Sequence, residues 1–185
     1  MNTLRRLLLA VIGTLALSAT AQDTNLLKTA IGQFENRTGL VIIKAASQVG
    51  SIVAGPDEIF VRCKESTEAG TQTKVYGLFL AINRSQLPRE RIYVDDDEID
   101  PLLDVINYLS KISSDITKLA VFEATYTTKS GLQLIARSER RNGGIRYFLA
   151  YNEDPRIEIT SLQMTQLYDL IAQARKDLNN LKADK

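Results

Sequence analysis

The sequence predicts an α+β fold: a tandem duplication of a four-stranded antiparallel meander plus helix, in the order α-ββββ-α-ββββ-α, with two sheets packed together and helices outside. Three observations carry this. Residues 76–83 and 145–152 are two versions of one strand, with Phe, Leu, Ala and Asn recurring 69 residues apart. Residues 91–109 align without a gap onto 156–174 at an offset of 65, sharing Arg, Ile, Leu, Asp and Ile. A loop shorter by four residues in the second copy accounts for the change of offset. Finally, each aligned stretch runs from a strand into apolar residues spaced three and four apart, the mark of a helix with one buried stripe.

The chain begins with a segment that has its own explanation. Arg5 and Arg6 precede an apolar run over 7–17, and Ala19-Thr20-Ala21 supplies the small residues a signal peptidase reads. We expect a signal peptide over 1–21, cleaved before Gln22, and hence a periplasmic or secreted protein. The run has 11 residues, whereas a spanning helix needs about 20, so no membrane span is expected after cleavage. Residues 22–185 are then a single mature domain of two repeats, about 24–116 and 117–182.

The elements follow in order. Leu27, Ala30, Ile31 and Phe34 have helical spacing over 25–36, with Asp23 or Thr24 as N-cap. The β-branched run 40–43 reads as a buried strand. Residues 58–66, 72–83 and 91–95 read as strands, with turns around Gly70 and Pro88. Leu102, Val105, Ile106, Leu109, Ile112 and Ile116 form the first long helical stripe. Asp100 before Pro101 sets its start, although the repeat places a cap at Asp95, opposite Thr160. Strands are expected over 119–128, 132–139, 144–152 and 156–160, with a hairpin turn at Asn142-Gly143. Thr160 and Gln163 form a capping box for a last helix bearing Met164, Leu167, Tyr168, Ile171, Ala174, Leu178 and Leu181 on one face. Residues 76–82 are apolar on both faces, where a sheet with one wet face alternates. Something must therefore cover both sides of that strand.

Composition narrows the chemistry. Histidine is absent, which excludes Ser-His-Asp and Cys-His catalysis and every His-liganded metal site. No glycine-rich phosphate loop and no cofactor motif is present, so no cofactor is expected and the protein reads as non-catalytic. Cys63 is the one cysteine. No intramolecular disulfide can form, and alternation places its thiol on the face of Ile59 and Val61 as an inert apolar group. The acidic run Asp95, Asp96, Asp97 and Glu98 reads as the N-terminal end of a helix, where carboxylates favour the dipole; its metal reading is a hard-cation site of oxygen ligands. Arg137, Arg140, Arg141 and Arg146 flank the Asn142-Gly143 turn as a solvated hairpin tip, or as a contact for an anion or acidic partner. Asn36 and Asn83 stand in glycan-acceptor sequences.

Two meanders, each closed by a helix, resemble the layout of the Whirly family of single-stranded DNA-binding proteins. The topology and the stretches 91–109 and 156–174 carry that resemblance. It implies aromatic residues on sheets suited to base stacking, with no residue role transferred. The leader and the charge balance weigh against nucleic acid. The whole chain has 23 basic and 22 acidic residues, and the leader removes two arginines and no acid, leaving 21 against 22. The first expectation is an exported protein that binds another protein or a small apolar ligand, with homodimer formation open to it. The alternative is a carboxylate-based hydrolase or metal-binding module.

Overall fold

The computed structural model describes residues 26–84, 90–139, 144–152 and 156–183. The expected order holds: helix α1 (Ala30–Glu35), strands β1 (Ile42–Ala54), β2 (Asp57–Glu68), β3 (Lys74–Asn83) and β4 (Glu90–Asp95), helix α2 (Ile99–Ser110), strands β5 (Glu123–Thr127), β6 (Leu132–Ser138), β7 (Ile145–Tyr151) and β8 (Ile157–Ile159), and helix α3 (Ser161–Ala183). The strands pair in chain order within two separate four-stranded antiparallel sheets.

The duplication extends to register. Leu80 lies between Val61 and Ile92 in the first sheet; Leu149, 69 residues on, lies between Leu134 and Ile157 in the second. The buried stripe of α2, Ile99, Leu102, Ile106 and Leu109, maps at offset 65 onto Met164, Leu167, Ile171 and Ala174 of α3. These stripes and the inner faces of both sheets form one hydrophobic core. Helix–sheet packing is crossed between copies. The second copy's α3 lies against β1 and β2 of the first sheet, and α2 reaches β6 of the second. The Cys63 thiol on β2 donates to the Ala174 carbonyl at 3.4 Å, and the Tyr147 hydroxyl on β7 meets the Ser110 carbonyl at 3.5 Å. Neither copy closes its own inner face, so the two halves interlock.

Local differences from expectation have local causes. The start of the second helix belongs to Asp95, as the repeat indicated, and not to Asp100: a 3-10 turn over Asp96–Glu98 leads into α2. Pro101 sits in the first turn of α2, where its missing N–H has no intrahelical partner to lose. The same helix stops at Ser110, whose hydroxyl donates to the Asn107 carbonyl at 2.9 Å. The stripe therefore does not continue, and Ile116 and Leu119 are exposed. The first helix is capped by Thr29, which accepts from the Gly32 N–H at 3.0 Å, and not by Asp23 or Thr24, which lie outside the described residues. Thr160 and Gln163 do make the capping box, with bonds of 3.2 and 2.7 Å. The run 40–43 is not buried; Val41 is 71% and Ile43 55% exposed. No helix among the described residues is long and apolar enough to cross a membrane.

Candidate functional site

The inner faces are occupied by the core, so any binding surface on the sheets must be outward. On the first sheet, register sets Gln48, Arg62, Phe79 and Tyr93 in one row and Ser51, Phe60, Ala81 and Arg91 in the next. Side chains directly opposite in antiparallel strands share a face. This is the second apolar face of β3, and it is covered by cationic side chains lying over rings. The Arg62 guanidinium stands 5.5 Å from the Phe60 ring and 5.9 Å from the Phe79 ring. Lys64 stands 5.8 Å from Phe79 and 5.1 Å from Tyr93. Phe79 and Tyr93 meet edge to face at 5.9 Å. The aromatic quadrupoles attract these cations. Phe60, Arg62 and Phe79 stay half-buried, Arg91 is exposed, and the buried Arg62 Nε–H has no hydrogen-bond partner.

Helix α1 covers one end of this face. Ile31 packs onto Gly77, where an added Cβ would stand 2.4 Å from both the Ile31 Cδ1 and the Val94 carbonyl oxygen. Glu35 anchors the other end of α1. Its carboxylate pairs with Lys64 at 2.7 Å and Lys44 at 3.1 Å, and accepts from the Ser66 hydroxyl at 2.5 Å and the Tyr93 hydroxyl at 3.0 Å. Burial alone would raise the Glu35 carboxyl, but the bonds from Lys64, Ser66 and Lys44 and the Lys64 charge together hold it below the ordinary value. Burial, and then the Glu35 carboxylate, push the Tyr93 phenol well up. The alternation that sets Cys63 with Ile59 and Val61 implies this opposite face without singling it out. Its signal was present: two cations alternating with Phe60 on one side of a strand.

The second sheet repeats the theme with a different outcome. Phe148 is the counterpart of Phe79 and likewise carries a cation, Arg146, at 5.2 Å. Arg146 occupies the position of Gly77, and no helix among the described residues is seated there. The arginine bonds Glu158, with Nε to Oε1 at 2.7 Å, and approaches Glu139 at 3.3 Å. Arg137 lies beside it in the ladder and is exposed. Arg140 and Arg141, with the Asn142-Gly143 turn, lie outside the described residues. Of the arginine group, the structure thus brings Arg137 and Arg146 together on one sheet face.

The acidic run acts as a clamp between copies. Asp95 accepts from the Ala30 and Ile31 N–H groups at 2.7 and 3.1 Å, holding the start of α1. Asp97 pairs with Lys129 at 2.8 Å, and the Lys129 N–H donates to Glu98 at 2.7 Å. Asp96 takes Arg175 at 2.8 Å and also Lys182, while Asp100 takes Arg175 at 2.6 Å. Each carboxylate faces a cation or an N–H of another element. Among the described residues no group of three or more Asp, Glu, Cys or His side chains converges to hold a metal ion. Cys63 is buried, and burial followed by the charge of Asp177 pushes its thiol up to about 11. No protein-family model, curated protein or solved structure matches the chain.

Proposed function

We propose that the chain is an exported, non-catalytic binding module whose working surface is the outward face of the first sheet, and that it binds a protein presenting carboxylates among apolar side chains. The leader pattern over 1–21 supports export to the periplasm or beyond. One observation carries the binding reading: Phe60, Arg62 and Phe79 lie side by side on a half-open sheet face, outside the core. A guanidinium held over two rings, with one Nη on the Gln48 amide oxygen at 3.4 Å, offers a carboxylate its charge at the half-open edge while the rings take apolar contact. Interfaces of this kind draw their energy from buried aromatic and arginine anchors. The test is capture of partners from the exported fraction of the source cells by the mature chain, repeated with Arg62→Ala and Phe79→Ala. A specific partner retained by the native chain and lost by both variants supports the reading; retention unchanged by both contradicts it.

A second reading has an observation of its own. Phenyl rings interleaved with Arg62 and the exposed Arg91 also suit stacked bases and phosphates of single-stranded nucleic acid. Titration with a homopolymeric oligonucleotide separates the two. Binding that weakens steeply with salt and fails in Phe79→Ala favours nucleic acid, and no binding at low salt removes it.

A further inference from the structure

We propose that the mature chain forms a two-fold dimer by antiparallel pairing of the free edge of β1 with the same edge of a second copy, centred on Ala45. The edge is free only along its first half. The register of β1 against β2 slips between Gln48 and Gly50, the irregularity of a bulge, which interrupts the ladder. Past the bulge, Leu170 of α3 packs so closely on Gly50 that an added Cβ would lie 2.5 Å from its Cδ2, and Gln163 donates to the Val53 carbonyl at 2.6 Å. Before it, residues 43–48 are exposed on both faces, and β1 ends the strand order, with β2 as its one neighbour among the described strands. An exposed, extended, apolar edge is a template for another strand.

Why a second copy fits is read from the same residues. The run 40–49 is apolar or neutral apart from Lys44. Pairing centred on Ala45 sets Lys44 opposite the second copy's Ala46, so no like charges face each other. It also sets Ile43 opposite the second copy's Ser47 on the inner side of the sheet. There, Ala45, Ser47, Cys63 and Leu181 line a cleft of about 250 Å³. Ile43, 55% exposed, would enter the second copy's cleft beside Leu181, itself 46% exposed, and the two-fold repeats the contact. The small side chains of Ala45, Ala46 and Ser47 leave the backbones free to approach. The sequence reads 40–43 as a buried strand, and this dimer is the arrangement that buries it. The first sheets of the two copies then join into one eight-stranded sheet, with the two Phe60–Arg62–Phe79 faces on one side.

Sedimentation of the mature chain across a concentration series, with hydrogen exchange of residues 42–48, tests this. The expected result is a dimer whose β1 amides lose protection on dilution. Ala45→Lys and Ala45→Glu each place like charges across the two-fold and should sediment as folded monomers with native circular dichroism. An equimolar mixture of the two should recover the dimer. Ala45→Cys should cross-link on mild oxidation, because directly opposed Cα atoms about 4.5–5.5 Å apart suit a disulfide. A native chain that stays monomeric with freely exchanging β1 amides leaves the edge to some other strand and overturns the proposal. So does a dimer that survives Ala45→Lys, or Ala45→Cys that does not cross-link.

Discussion

Glu35→Gln should loosen α1 and cost the fold a large part of its stability. Glu35 and Lys64 side chains are 4% and 8% exposed and 2.7 Å apart, so the change strands a buried ammonium that Lys44 and Tyr93 cannot satisfy. Removing one partner of such a buried pair costs about 3–5 kcal/mol. For a chain of this size that is roughly 6–20 °C in Tm. Urea unfolding at neutral pH, with the m-value checked, reads the loss. Acid gives a second reading. The Glu35 carboxyl titrates below its ordinary value of 4.5 in the folded protein, so the unfolded chain takes up the proton first as pH falls. The native network's contribution is therefore whole at neutral pH and is lost as pH drops from about 4.5 through the folded value. The gap between native and Glu35→Gln should be constant from neutral pH to about 5 and close below that. Glu35→Gln combined with Lys64→Met should recover much of the loss. A single-variant cost under about 1 kcal/mol, or a gap that closes above pH 6, would refute the reasoning.

Other outcomes follow from the same contacts. Gly77→Ala drives a Cβ into the Val94 carbonyl and Ile31 and should cost about 1–3 kcal/mol in thermal unfolding, with proteolysis near α1 rising. Thr160→Ala removes the cap of α3 and should cost about 1 kcal/mol; a neutral result in urea titration would count against the capping box. The Cys63 thiol should resist neutral thiol reagents in the folded chain and react only in denaturant or as pH nears 11; prompt labelling of native protein at neutral pH would contradict its placement.

The fold was legible because two copies of one pattern were written in the chain. Offsets of 69 and 65 predicted the repeated elements, and the structure extends the match to register, with Leu80 and Leu149 in matching places. The repeat even located the cap at Asp95 when Pro101 argued for Asp100, since a proline's local preference is met anywhere in a first turn. What the pattern could not show was crossing: periodicity marks which face of α3 is apolar, not whose sheet it will cover. The site was less legible. The acidic run stood out by composition, yet Arg175, Lys182 and Lys129, which answer it, lie 31 to 86 residues away in sequence. The Phe60–Arg62–Phe79 face was hidden because an aromatic on a strand reads as core until the other face is shown to be full.

Hydrogen exchange along a urea series tests most directly whether the copies share one interlocked core. The account predicts that amides of β2 and β3 and those of β6 and β7 lose protection together, in one transition with one m-value. One sheet opening while the other remains protected would contradict it.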